Sequence, residues 1–161
     1  MMAVTATPIF VQTPDVGAAN AILSTAMTNT KAFDGTEAVG TAMVLVFTAG
    51  VNGSRIDQVT CRFASTNGAT ASGTSSASLI RFWINNGAAN TTATNNIFFG
   101  EVAMSATSVT ALGTSALTVN YLTLPTGGLN LPAGYRLYAG STVAAGGTNI
   151  AFAVSAIGGD Y

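Results

Sequence analysis

Histidine is absent from the 161 residues of this chain, and cysteine occurs once, as Cys61. Without histidine, a serine triad of the usual kind is excluded, and the single thiol has no imidazole base to activate it. A lone cysteine also excludes an intrachain disulfide, and a zinc site would lack its usual nitrogen and sulfur ligands. Because Cys61 alternates with Val59 and Phe63, the pattern predicts a small buried core residue.

Charge is also scarce. Charged residues make up 7% of the chain, against roughly 25% in an average soluble domain, and the net charge is -1. The five basic residues are spread singly, so the sequence lacks the clustered basic patch that phosphate contacts require, and we expect no nucleic-acid partner. A neutral surface fits a protein that packs against other proteins, and it fits β-sandwiches in general equally well.

Long apolar runs are missing as well. The longest, Ala42–Phe47, is far shorter than the roughly 20 residues that a membrane-spanning helix needs. The first residues lack the basic region and the apolar stretch of a signal peptide. We therefore expect no membrane partner, and a protein that is made and kept in a cytosol unless it leaves inside a particle.

What the chain does contain is a series of short runs rich in Val, Ile, Phe, Tyr and Thr, separated by Gly and Asn, which predict strands rather than helices. The predicted strands are 41–48, 55–63, 78–85, 97–105, 117–124, 135–141 and 149–157, with weaker candidates at 18–24 and 30–33. This pattern predicts an all-β fold, an antiparallel β-sandwich of jelly-roll or immunoglobulin-like type. We expect one sandwich domain over residues 17–161, preceded by an extended arm over residues 1–16.

Four local features refine these strands. Residues 41–48 are apolar on both faces, which predicts a central strand. The dipeptide Asn52-Gly53 predicts a hairpin turn between that strand and 55–63. Ile56 is out of phase with the apolar residues that follow it, which indicates a bulge near Asp57-Gln58. In the strand 78–85, the better core candidates are Ile80, Phe82 and Ile84.

The six carboxylates offer few sites. Asp34 and Glu37 form the one close pair, and the spacing of an EF-hand is absent, so an Asp-Gly turn is favoured over a calcium site. The fold could still bring Asp57 and Glu101 together on one sugar bond, as a glycosidase requires. We expect no cofactor and no metal.

The exposed aromatic residues and the polar loops raise a carbohydrate-binding alternative. Trp83, Tyr121 and Tyr138 could stack on sugar rings, although packing in the core or at an interface is favoured for Trp83. The loops 65–76 and 86–96 are rich in Ser, Thr and Asn, and they could carry such a site.

The first segment is the main candidate for partner binding. It contains an apolar triplet between two prolines, and proline fits an extended arm or an edge strand because it cannot donate to a β-ladder. The residues concerned are Pro8, Ile9, Phe10, Val11 and Pro14. We expect this arm to add a strand to an adjacent subunit or to lie on a partner's surface.

Four segments resemble a family of small tailed-phage structural proteins. They are residues 5–14 (TATPIFVQTP), 47–57 (FTAGVNGSRID), 131–138 (LPAGYRLY) and 158–161 (GGDY). Similar motifs recur in that order in the family, and their order is more specific than any one of them. The middle of the chain, from about Phe63 to Leu117, has no counterpart in this resemblance.

The resemblance implies a jelly-roll capsid decoration, or cement, protein. Such a protein is not an enzyme; it binds the major capsid protein on the outer capsid surface of a virion assembled in the host cytoplasm, often as a homotrimer at local threefold positions. One alternative is a minor head, tail or fibre-associated sandwich that binds host carbohydrate. A glycosidase-like enzyme is a third.

Overall fold

The structure, a computed structural model, describes residues 13–28, 33–65, 73–109, 118–146 and 150–161. Within these ranges the regular structure is β-strand, apart from one turn of 3-10 helix at Ala93–Asn95. Two antiparallel sheets pack against each other around a common apolar core. The predicted all-β antiparallel sandwich is therefore confirmed.

The strands are β1 (Thr13–Leu23), β2 (Met43–Thr48), β3 (Ser54–Ser65), β4 (Gly73–Thr74), β5 (Ser78–Asn85), β6 (Asn96–Met104), β7 (Ser108–Val109), β8 (Asn120–Tyr121), β9 (Leu129–Leu131), β10 (Arg136–Ser141) and β11 (Ile150–Asp160). The five-stranded sheet has the order β1-β11-β3-β8, with β9 also paired to β3. The four-stranded sheet has the order β2-β10-β5-β6, and β4 and β7 form a separate small ribbon. The chain therefore crosses repeatedly between the two sheets.

One core fills the space between the sheets. Its largest fully buried side chains are Phe47, Phe82, Phe152, Ile56, Ile80 and Leu137. Cys61 is fully buried among them, as its alternation with apolar neighbours predicts. Across β3 and β11, the ring centroids of Phe63 and Phe152 lie 5.0 Å apart.

A second apolar cluster lies on the outer face of the four-stranded sheet. Met43, Trp83 and Tyr138 are buried there beneath the β1–β2 connection, which contributes Met27. The indole Nε1 of Trp83 donates a hydrogen bond of 3.1 Å to the backbone oxygen of Phe33 in the same connection. The prediction that Trp83 packs rather than stays exposed is confirmed.

The expected central position of residues 41–48 is wrong. β2 is an edge strand whose one neighbour in its sheet is β10. Its two apolar faces are explained by the β1–β2 connection, which covers the outer face while the core covers the inner one. Alternation along a strand reports which faces are covered, and it carries no information about lateral position in the sheet.

The expected hairpin at Asn52-Gly53 is also wrong, although the turn itself is present. Gly53 has a φ of +89°, and its N–H donates to the oxygen of Gly50 at 3.0 Å. The turn carries the chain from β2 in one sheet to β3 in the other, and the two strands do not pair. A tight turn with a glycine at positive φ can connect strands in two different sheets as well as the two strands of a hairpin.

The expected bulge near Asp57-Gln58 is confirmed. In the pairing of β3 with β11, Gly158 lies opposite Ile56 while Ile157 lies opposite Gln58, so Asp57 is the extra residue. The bulge returns Ile56 to the core face, where it is fully buried. An extra residue therefore resolves the phase mismatch seen in the sequence.

The start of the sandwich differs from its expected boundary. β1 begins at Thr13, and residues 13–16 pair with β11 instead of belonging to the arm. Pro14 lies in this edge strand opposite Gly159, the second environment that proline favours. The remainder of the expected arm, residues 1–12, lies outside the described residues.

The other strand predictions are confirmed in part. In β5, Ile80 and Phe82 are fully buried in the core and Ile84 packs against it. The weak candidate 18–24 is part of β1, whereas most of 30–33 lies outside the described residues. The expected strand 117–124 is reduced to β8, and the short β9 was not expected because three residues show no period.

The bulge makes Gly158 a point of close contact. A Cβ at this position would collide with the backbone oxygen of Arg55 and lie 2.9 Å from the Cα of Ile56. We expect Gly158→Ala to lower the free energy of unfolding by about 2–3 kcal/mol, because neither backbone atom can move away cheaply. Gly40→Ala is the matched control, since nothing lies within 4 Å of its Cβ. Urea unfolding of both variants measures the effect, and equal midpoints would contradict the packing account.

Candidate functional site

The glycosidase candidates are not assembled as a pair. Asp57 accepts from Arg55 at 2.7 Å in β3, and Glu101 accepts from Arg81 at 3.3 Å in β6. The two ion pairs belong to different sheets, and both carboxylates are about half exposed. A glycosidase needs its two carboxyl groups to flank one bond, so this arrangement does not supply that geometry.

The close pair Asp34 and Glu37 serves the local backbone. One Asp34 oxygen accepts from the N–H and the hydroxyl of Thr36, at 3.1 and 2.9 Å, which is the Asp-Gly turn that was expected. Glu37 accepts from the N–H of Thr28 at 2.9 Å. Among the described residues, no group of three or more metal-ligating side chains occurs.

The aromatic candidates for sugar stacking divide into buried and exposed residues. Trp83 and Tyr138 lie beneath the β1–β2 connection and present no face to solvent. Tyr121 in β8 is 57% exposed, so it is the one of the three that a ligand could reach. Burial of the indole and of one phenol weakens the carbohydrate alternative.

The polar loop between β5 and β6 has a packing role that the sequence did not reveal. Asn90 is buried, and its amide donates to the oxygen of Glu37 at 2.6 Å. The amide of Asn96 donates to the oxygen of Asp34 at 2.9 Å. These asparagines tie the loop to the β1–β2 connection, as buried amides usually require partners. Residues 66–72 of the other polar loop lie outside the described part of the chain.

One end of the sandwich gathers residues that are far apart in the sequence. Asp160, at the end of β11, accepts from the N–H of Gly50 at 3.3 Å and from the hydroxyl of Ser54. The same hydroxyl accepts from the N–H of Gly50 at 2.8 Å. The carboxylate thereby closes the turn between β2 and β3.

Tyr161 extends this contact. Its N–H donates to the oxygen of Gly53 at 3.1 Å, and its own backbone oxygen accepts from the amide of Asn52 at 3.2 Å. Its hydroxyl donates to the side-chain oxygen of Asn130 at 2.7 Å. The last two residues are thus bound to the β2–β3 turn and to β9.

The segment after β9 also forms hydrogen bonds at this end of the sandwich. The N–H of Gly134 donates to the oxygen of Ala49 at 3.2 Å, and the N–H of Ala49 donates to the oxygen of Tyr135 at 2.8 Å. Thr13 and Pro14 pair with the end of β11 beside them. We call this end of the sandwich, formed by residues 13–14, 49–54, 131–135 and 158–161, the motif end.

All four segments that carry the family resemblance therefore contribute to the motif end. Of the predicted arm residues, Pro14 lies there in β1, whereas Pro8, Ile9, Phe10 and Val11 lie outside the described residues. The tip of the β2–β3 turn presents Val51, which is 88% exposed. The described part of the motif end therefore combines an exposed apolar turn with hydrogen bonds that join its segments.

Comparisons of this chain with protein-family models, with curated proteins and with solved structures find no match. In the described residues, no helix is long and apolar enough to cross a membrane. The resemblance to phage structural proteins therefore stays a prediction that rests on the four segments.

Asp160 is the residue on which the motif end depends most directly. We expect Asp160→Ala to lower the free energy of unfolding by about 1–3 kcal/mol, because the N–H of Gly50 and the hydroxyl of Ser54 lose their acceptor. Asp57→Ala should change it by less than about 1 kcal/mol, since an exposed ion pair contributes little. Guanidinium unfolding compares the two variants, and a larger loss in Asp57→Ala would overturn this ranking.

Cys61 gives a test of the core. Burial raises the pKa of its thiol from 9.0 to about 12, because the apolar surroundings disfavour the thiolate. We expect negligible alkylation of the folded protein at pH 8 and rapid alkylation after unfolding. Since the unfolded thiol loses its proton at lower pH, the thiol's contribution to stability should fall as the pH rises from about 9 towards 12. Mass spectrometry of iodoacetamide-treated protein checks the first point, and rapid native labelling would contradict the burial.

Proposed function

We propose that this chain is a non-enzymatic structural protein of a phage virion, a decoration protein that binds the outer capsid surface and stabilises the shell. The observation that carries the proposal is the convergence of the four resembling segments at the motif end. Segments that matched a family by chance would have no reason to meet in space. Here they bond to one another through Asp160, Tyr161 and Gly134.

The strand order supports the same proposal. The five-stranded and four-stranded sheets contain nine of the described strands. Among the hydrogen-bonded neighbours in these two sheets, β5 with β6 is the one pair that is consecutive in the sequence. From this order we infer a jelly roll, a double-sheet architecture that occurs in viral capsid proteins. The fold alone does not assign a function, so it adds to the motif end without replacing it.

The nature of the surface indicates how a partner would be bound. Charged residues are few, and Arg55 and Arg81 are each paired with a carboxylate. Large exposed apolar side chains include Phe33, Val51 and Ile97. Binding would therefore depend on apolar contact and neutral hydrogen bonds more than on long-range attraction.

The N-terminal segment is the second element of the proposal. β1 starts at the motif end, so residues 1–12 are attached to the described chain at that end. Their apolar triplet Ile9-Phe10-Val11 gives the segment side chains to bury. Addition of an extended segment to a neighbouring surface is a common mode of recognition.

Capsid binding tests the proposal directly. The purified protein should co-sediment with capsids assembled from the major capsid protein of the same genome, and binding should saturate. It should persist at about 1 M salt, where the Debye length is about 3 Å, because the surface is nearly neutral. Deletion of residues 2–12, which leaves the paired residues Thr13 and Pro14 in place, should abolish binding or trimer assembly.

The outcomes separate the alternatives. Light scattering after size exclusion should give three times the mass of one chain. Absence of capsid binding by a folded protein would refute the decoration role. Retention of one oligosaccharide on a glycan array, together with no capsid binding, would favour the carbohydrate alternative. Full binding and assembly by the deletion variant would refute the role of the arm.

A further inference from the structure

An apolar groove of about 440 Å³ lies on the four-stranded sheet, away from the motif end. It is formed where β5 begins and where β6 and β10 end, and its lining includes Ser78, Leu79, Ala103, Met104, Thr142 and Val143. None of the described residues that line it is charged. Its volume falls within the roughly 300–1,000 Å³ of pockets that take drug-sized ligands, so it can receive several side chains.

The groove lies on a sheet face that the β1–β2 connection covers elsewhere. Leu79 and Ala103 lie opposite each other in the pairing of β5 with β6, on the same outer face as Trp83. The β1–β2 connection covers the part of this face around Trp83, whereas Val143 beside the groove is 44% exposed. Between these two parts of the face, Arg81 lies opposite Glu101 and pairs with it at 3.3 Å, so the groove is a separate apolar patch.

The register places the groove and the start of β1 at opposite ends of the sandwich. Ser78 and Met104 pair at the groove end of the sheet, while Asn85 pairs with Asn96 and Arg136 at the other end. Arg136 pairs in turn with Thr48, next to the turn that binds Asp160. Thr13 lies opposite Asp160, so the N-terminal segment leaves the described chain at the motif end.

We propose that the groove is the receptor for the N-terminal segment of a second copy of this chain, with residues 5–12 lying across Leu79 and Val143. The segment is chemically suited, because residues 1–12 carry no charge and include Ile9, Phe10 and Val11. Twelve extended residues span at most about 40 Å, which is enough to reach a neighbour. The described lining of the groove is uncharged as well, so the segment meets no carboxylate or amine of those residues inside it.

The geometry makes this contact head to tail. Each copy gives its segment from the motif end and receives another at the groove end, so the two contacting surfaces differ. A contact of this kind closes into a ring when the rotation permits. The number of copies in this ring rests on the proposed function, because a trimeric decoration protein would be a ring of three copies.

Disulfide trapping tests the contact in the free protein, without any capsid. Chains carrying Val11→Cys are mixed with chains carrying Val143→Cys and oxidised, and the expected product is a covalent pair of one chain of each kind. A chain that carries both substitutions should give a covalent ring of three. Cys61 stays in place because it is buried. Tyr121→Cys, exposed on the other sheet, replaces Val143→Cys in the control and should give at least about ten-fold less product.

Each other result overturns the proposal. Crosslinks confined within single chains would show that the segment folds onto its own groove. Absence of crosslinks in a protein that still forms trimers would show that the trimer uses another surface. Because no capsid is present, either failure leaves capsid binding, and thus the proposed function, untouched.

A second set of variants tests the groove without depending on where a cysteine is placed. Ala103→Glu and Val143→Glu alter exposed residues, so the fold should be kept. Each should raise the dissociation constant of the trimer at least about ten-fold, because the seated segment would bury an unpaired carboxylate. Tyr121→Glu should leave it unchanged. Equal dissociation constants for all three variants, measured by sedimentation, would overturn the assignment of the groove.

Discussion

The sandwich depends on the placement of its last strand between its first strand and β3. β11 is almost wholly buried, with Ile150, Phe152 and Val154 facing the core and small residues between them. Its pairing with β1 and β3 joins residues that are between 85 and 147 positions apart in the chain. Apolar burial and two full ladders of hydrogen bonds act on the same residues, so loss of this strand would open the sheet on both sides.

The same strand also organises the motif end. Gly158 lets β11 pass close to the β3 bulge, and Asp160 then reaches the turn between the two sheets. The bulge at Asp57 keeps Ile56 in the core while the strands stay paired. A surface built from four separate segments is therefore a consequence of how one central strand ends.

Because the chain has few charged residues, its buried polar groups are paired mainly through hydrogen bonds between neutral groups. Asparagine amides hold the β5–β6 loop to the β1–β2 connection, and the hydroxyls of Ser78 and Ser141 meet at 3.0 Å in a buried position. Neutral hydrogen bonds avoid the desolvation cost that buried charges carry. They accompany a composition in which only 7% of the residues are charged.

Local residue patterns in the sequence alone predict several structural features of this protein. Alternation of apolar residues revealed the strands and the burial of Cys61, and a single phase error revealed the bulge at Asp57. The absence of histidine by itself excluded a serine triad of the usual kind and an imidazole-activated thiol. The tertiary structure alone decided that β2 lies at an edge, that the Asn52-Gly53 turn joins two sheets, and that Asn90 of the β5–β6 loop is buried. The periodicity of a strand indicates whether each of its side chains is buried. The element that buries it comes from a distant part of the chain. Which element this is depends on the packing of the whole sandwich.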